Sequence, residues 1–338
     1  MFRLFWLFVL PLALFAQTQH RTPQQIEQEL QVAEAEFKRA KDMFNPWYTG
    51  PLITPSASMM PPGSGNTQPY IFITDKYAAF NKERKSVKLP SHLVQLEVTS
   101  NIQTGITNNM DFNVNFGAQW NWQFDHNGGG YEDMSAQAGF LIYRQTRYVP
   151  GMKFTISQTF PTGKYKNCNT NGFLLDAVGG GTYATQFSLA FSKVILWTTK
   201  HPVNLRLFLG YNVTTPTTVS GFNAYGGGFG CHGRVHPGNT FSADFGAEVS
   251  LTQRWVAAID VIYKATDEST FHGDPGTLKD GTPSAVGGPY SDTLRLAPAF
   301  EYNWNSNLGI LAGAYFSVYG RSSGNFASGI ISLSYSFP

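Results

Sequence analysis

Charge is scarce in this chain: 24 basic and 22 acidic residues make 14% of 338, with a net charge of +2. No basic run is present to track a phosphate backbone, so the composition excludes nucleic acid as a partner. Beyond the N-terminus, no apolar run approaches the roughly 18 residues that a membrane helix needs. Neither a G-x-S-x-G elbow nor an H-E-x-x-H pair occurs, which removes two common hydrolase signatures. The seven histidines fall mostly in expected turns, loops or the N-terminus, and no cofactor is expected. Cysteine is limited to Cys168 and Cys231.

What the chain does have is aromatic residues, at 15%, and 34 glycines. Asp111 to Phe124 reads D-F-N-V-N-F-G-A-Q-W-N-W-Q-F. Phe112, Val114, Phe116, Ala118, Trp120, Trp122 and Phe124 share one face, because side chains alternate across a strand with period two. Asn113, Asn115, Gly117, Gln119, Asn121 and Gln123 share the other. One fully apolar face opposite one polar, uncharged face marks a strand between lipid and a wet lumen. Only helices and closed barrels satisfy every backbone group in lipid, and the helix is already excluded. The expected fold is therefore all-β: an antiparallel up-and-down transmembrane barrel of about twelve strands, with a short N-terminal periplasmic helix. A soluble sandwich or jelly roll would have to explain the aromatic crowding on so many faces.

The N-terminus reads as an export signal. Met1-Phe2-Arg3 is a short positive region, Leu4 to Phe15 is apolar, and Ala16-Gln17 is a cleavage point. Residues 1–16 are thus a signal peptide, with a short membrane anchor as the alternative. Thr22-Pro23 then opens a helix, and Ile26, Leu30, Ala33, Phe37, Ala40 and Phe44 recur at spacings of four and three. This amphipathic helix suits a trimerisation or tethering role, or packs on the barrel end, and Asn45-Pro46 stops it. Residues 45–69 hold Pro46, Pro51, Pro55, Pro61, Pro62 and Pro69 and no periodicity. They form a linker or a plug in the barrel mouth, so 17–69 is one periplasmic unit and 70–338 the barrel.

Twelve strands follow, at 70–80, 92–105, 111–124, 134–145, 151–161, 182–197, 203–215, 240–251, 254–265, 291–303, 307–319 and 326–337. Short connections at 106–110, 145–150, 198–202, 250–254 and 303–307 alternate with long glycine-rich ones at 162–181, 216–239 and 266–290. Short periplasmic turns facing long outer loops are the habit of bacterial barrels. The stretches 125–133 and 320–325 are brief for outer loops. An even strand number leaves both termini in the periplasm. The last strand ends Tyr335-Ser336-Phe337-Pro338 and offers a terminal aromatic to the outer-membrane assembly machinery.

Polar faces turn Glu97, Arg206, Asp244, Glu248, Asp260, Lys264, Arg295 and Glu301 inward. Inside a barrel such charges set selectivity or fill the lumen as a salt-bridge network. Cys168 and Cys231 fall in loops on the same outer side, in an oxidising setting where a disulfide is expected. A metal pair with His232 and His236 in C-H-G-R-V-H is the sharper, weaker alternative.

Phe154–Tyr165 reads F-T-I-S-Q-T-F-P-T-G-K-Y, and Val178–Phe187 reads V-G-G-G-T-Y-A-T-Q-F. A strand ending in P-T-G before a glycine-led strand resembles the outer-membrane family named for the meta-cleavage pathway of phenol degradation. Trp47–Ser56 (W-Y-T-G-P-L-I-T-P-S) and Gln68–Asp75 (Q-P-Y-I-F-I-T-D) look like a leader of related Gram-negative barrels. The resemblance implies a transporter or porin for small, often hydrophobic or aromatic compounds, and carries no ligand residues with it. Its partners would be outer-membrane lipid and lipopolysaccharide, small-molecule solutes and the barrel-assembly machinery, with a homo-oligomer as one arrangement. Two rival functions stand beside the channel: a closed structural or surface-interaction barrel, and a lipid-modifying barrel enzyme with a Ser–His pair near His201 or His232.

Overall fold

The computed structural model describes residues 22–41, 47–48, 50, 52–170, 173–196, 199 and 201–338. The expected signal peptide lies outside them, as does the expected helix stop at Asn45-Pro46. Two units emerge, divided between Met43 and Phe44.

The first unit contains α1 (Pro23–Lys41). Its start follows from Thr22: Gln25 N–H donates to Thr22 Oγ1 at 3.3 Å, and Thr22 N–H donates to Gln25 Oε1 at 3.0 Å. This reciprocal pair is a capping box, with proline at the first helical position where its missing N–H costs nothing. Ile26 and Leu30 are exposed on the helix surface.

The second unit is a barrel. Its strands begin with β1 (Gly65–Phe80), β2 (Ser86–Thr107), β3 (Met110–Gln123), β4 (His126–Tyr131), β5 (Met134–Tyr143), β6 (Gly151–Phe160), β7 (Ala184–Ile195) and β8 (Val203–Thr214). Two short strands, β9 (Thr217–Ser220) and β10 (His232–His236), lie outside the barrel. Next come β11 (Thr240–Ser250) and β12 (Trp255–Thr266), then β13 (Thr270–Asp274), which pairs with β10. β14 (Ser291–Asn305), β15 (Leu308–Arg321) and β16 (Ser323–Phe337) complete the wall. Each strand pairs antiparallel with its neighbours, and β1 closes the sheet on β16 from Gly65↔Phe337 to Phe80↔Ser323. Because β4 and β5 are two stretches of one stave, the barrel has twelve.

Closure pairs every stave on both sides apart from the outer stretch β4, which pairs with β3 alone, and alternation decides which face meets lipid. Phe112, Phe116, Trp120 and Trp122 on β3, with Phe241 and Phe245 on β11, stand exposed on the outside. An apolar surface this continuous around the wall is foreign to a soluble monomer, and lipid is the solvent that satisfies it. The chain is an outer-membrane β-barrel. Among the described residues, short turns at 108–109, 144–150, 251–254 and 306–307 lie at one end of the barrel and long loops at 215–239 and 267–290 at the other; by the habit of bacterial barrels the first end is periplasmic and the second outer.

Several strand boundaries move. β1 starts at Gly65 rather than 70, because its blurred alternation is real: Ile71 and Ile73 face lipid while Tyr70 and Phe72 face an apolar wall inside. β2 reaches out to Ser86, pairing with the end of β1 across a register shift between Lys76 and Ala78. The expected 125–133 loop is mostly strand. His126–Tyr131 pairs with Ala118–Gln123, so the glycine run there is wall, and the chain breaks pairing only at Glu132–Asp133. The 320–325 loop shrinks to Ser322 between β15 and β16.

The expected Cys168–Cys231 disulfide is absent, and both thiols are free and buried. Asn167 N–H donates to Ser220 O at 3.0 Å, while Gly221 N–H donates to Cys231 O at 2.9 Å. Carbonyl 220 and N–H 221 belong to one trans peptide and point in opposite directions. The two cysteine-bearing segments therefore flank that peptide instead of meeting.

Candidate functional site in the barrel lumen

All eight charged residues expected inside are on the inner face; Asp244, buried and level with Ile262, lies between two groups formed by the others. Residues 47–48, 50 and 52–64 separate the groups by folding into the half of the lumen at the short-turn end. Trp47 O accepts from Asn303 Nδ2 at 3.0 Å, and Tyr48 Oη donates to Pro202 O at 2.9 Å. The chain then passes Arg206 at Gly50, whose φ is +128° and whose absent Cβ would stand 3.0 Å from the guanidinium. A left-handed backbone squeezed against a side chain requires glycine. At mid-barrel, Asp260 receives Ile53 N–H at 3.0 Å, Thr54 N–H at 3.1 Å and the Thr54 hydroxyl. The segment returns along the opposite wall: Ala57 N–H donates to Ser192 Oγ at 2.9 Å, and Gly63 N–H to Gly105 O at 3.1 Å.

Below Asp260 the inward charges are committed to structure. Glu248 is fully buried, paired with Arg206 at 2.8 Å and bonded by Asn204 Nδ2 at 2.7 Å. Glu301, also fully buried, accepts from Asn303, which holds Trp47 O in turn. A second buried pair, Lys153–Asp111 at 2.7 Å, escaped the sequence reading, although both residues continue polar faces. A cavity of about 540 Å³ remains beside the segment, lined by Tyr48, Thr99, Asn113, Gln137, Lys153 and Ser334 among others.

Above Asp260 the lumen is open. Lys264 lies deep in the barrel yet is exposed, and Lys76, Glu97 and Arg295 are half-exposed. These side chains line water-accessible space. Arg295 donates to Tyr315 Oη at 2.6 Å.

The outer end is narrowed by loop 161–183. Asp133, in the break between β4 and β5, accepts Gly163 N–H at 2.8 Å through one oxygen and Gly180 N–H at 2.7 Å through the other. A Cβ on Gly163 would lie 2.8 Å from Gly179 Cα, so the P-T-G and G-G-G sequences are two halves of one clamp. Beyond the clamp, Leu175 O reaches the wall and accepts from Asn121 Nδ2 at 2.7 Å. Between the outer loops lies a hollow of about 850 Å³, with Phe173, Leu174, Phe222 and Leu278 among its lining.

His201 Nδ1 contacts Ser250 O at 3.0 Å and His232 Nδ1 contacts Gly230 O at 3.0 Å, backbone atoms rather than serine hydroxyls. Among the described residues, no three His, Cys, Asp or Glu side chains gather to hold a metal ion.

No protein-family model matches the sequence, and no curated protein matches it. Solved structures do. The COG4313 outer membrane channel from Pseudomonas putida F1 aligns with a TM-score of 0.64 at 13% identity, over 84% of this chain and 100% of that one. The translocator domain of autotransporter NalP from Neisseria meningitidis scores 0.44 at 11% identity, over 91% and 97%. A deletion mutant of the TodX monoaromatic hydrocarbon channel scores 0.43 at 11% identity, over 87% and 95%. The first of these likenesses is one of fold: a closed outer-membrane barrel.

Proposed function

We propose that this protein is an outer-membrane channel for small solutes, closed at rest by residues 47–64. The observation that carries the reading is the three-fold hydrogen bonding of Ile53 and Thr54 to Asp260. On this reading the bonding holds a backbone strap across a lumen that is otherwise largely polar and, in its outer half, wet. A strap held by a few hydrogen bonds, each worth about 1.5–3 kcal/mol to a charged acceptor, is displaceable, unlike the barrel wall. The apolar hollow between the outer loops would collect hydrophobic or aromatic solutes before they meet the inner charges. The P. putida protein of similar fold is described as an outer-membrane channel, which agrees with this assignment.

The test is single-channel conductance of the refolded mature protein beside a variant lacking residues 17–63. Closed full-length protein with steady current in the truncation is the expected result. Silence in both, with the barrel still migrating as folded before heating, would transfer support to the closed structural barrel. Residues 17–41, the assembly machinery and any oligomer belong to this proposal only as periplasmic and biogenesis partners.

A further inference from the structure

The lumen is polar on most of its wall, but β1, β12, β14, β15 and β16 turn an apolar patch inward. Ile262, Ala297, Leu311 and Ile330 form it, with Tyr70 and Phe72 packed beside them. Leu52 and Ile53 of the inner segment lie on this patch. Just outward of it stand three cations. Arg295 is paired in register with Ile262, Lys264 lies two residues further along the same face, and Lys76 lies four residues beyond Phe72. At ~3.3 Å per residue, Lys264 and Lys76 rise roughly 7 and 13 Å along their strands above the patch, while Arg295 stands at its outer edge beside Ile262.

None of the three makes an ion pair with a carboxylate among the described residues. Asp244 lies within electrostatic reach of Lys264 and Arg295, and Glu97 of Lys76. Lys264 and Arg295 are thus two cations facing one carboxylate, Asp244, whereas Lys76 faces Glu97, which Glu132 also faces. Arg295 is rigidly presented: Tyr315 Oη holds Nη1, and the guanidinium lies 5.7 and 5.5 Å from the Tyr315 and Phe326 ring centroids. A fixed, aromatic-backed guanidinium without its own carboxylate matches the planar fork of an incoming one. By contrast, Arg206 spends its charge on Glu248.

We infer that this wall is a binding site for a small amphiphilic monocarboxylate. The carboxylate rests on Arg295 and Lys264, with Lys76 completing the arc. The apolar body takes the place of Leu52 and Ile53 against Tyr70, Phe72 and Ile262. The inner segment is then a built-in competitor for the apolar half of the site. This deepens the channel reading, since displacement of the segment is what that reading requires of a solute.

The test is calorimetric titration of detergent-solubilised full-length protein with benzoate and with benzamide, its uncharged counterpart. Saturable benzoate binding at least ten-fold tighter than benzamide is expected. The double variant K264Q/R295Q should lose that preference while benzamide affinity holds. Asp260→Asn, which loosens the segment, should tighten benzoate several-fold. Equal affinity for the two ligands in the unaltered protein overturns the site without any variant, as does an unchanged preference in a folded K264Q/R295Q. Should that variant fail to fold, Lys76→Gln must weaken benzoate selectively, and its failure to do so also overturns the site. Charge-selective binding without current in any form would retain the site and remove the channel; current without charge-selective binding would do the reverse.

Discussion

The two halves of the lumen are built from the same staves and use their charges in opposite ways. Towards the periplasm, Glu248, Arg206, Glu301 and Asp260 are buried and each is bonded to the wall or to the inner segment. Towards the outside, Lys264, Arg295, Lys76 and Glu97 keep contact with water. A buried charge is tolerated only when paired and bonded, so the lower half is a fixed scaffold. A hydrated charge costs little and is free to act on a passing solute, so in the proposed channel selectivity would fall to the upper half.

The contrast breaks most sharply at Glu248. Glu248→Ala strands Arg206 in the buried half and should cost about 3–5 kcal/mol, read from the urea midpoint of the refolded barrel. Lys264→Gln, in the wet half, should move the same midpoint by less than about 0.5 kcal/mol. Comparable losses at both sites would erase the distinction. Asp260→Ala should next raise open probability ten-fold or more in a planar bilayer, because the hydrogen bonds holding Ile53 and Thr54 vanish while the wall stays intact. Asp133→Ala acts at the other end: freeing Gly163 and Gly180 should expose loop 161–183 to limited proteolysis without loss of the folded band. Asp244→Asn, in an open variant, should shift the reversal potential under a salt gradient toward anions, and an unmoved potential would remove Asp244 from the conducting path. The smallest effect concerns the thiols. Burial raises both, Cys168 to about 11 with Asp176 adding to the rise. Little of either thiol is ionised at pH 8, so native alkylation should be far slower than after denaturation.

Much of the barrel was legible because period-two patterning is local and lipid enforces it. Phe112 to Phe124 could only be a stave, and the alternation of turn lengths followed from counting hairpins. Harder stretches were those where both faces share one character. Tyr70–Ile73 is apolar on both sides because its inner face meets the patch under Leu52, a contact 18 residues away in sequence from Tyr70. Gly128–Gly130 looked like a loop because a glycine run carries no face at all, and pairing with β3 alone makes it strand. The inward set of charges was readable as a set, but not its division, which depends on where an aperiodic, proline-rich stretch comes to rest. Cys168 and Cys231 were matched by compartment and loop side, two criteria blind to the peptide standing between them.

Residues 47–64 run without interruption into β1, which is zipped to β16 along the barrel seam. A displaced segment therefore never diffuses away. Its local concentration is that of a short tether, in the millimolar range. A solute competing for the same wall must overcome that standing concentration, and the lumen refills as soon as the solute leaves. In the proposed channel the tether would act as a threshold and a reset in one, admitting solute only when it is abundant outside and closing again without any external signal.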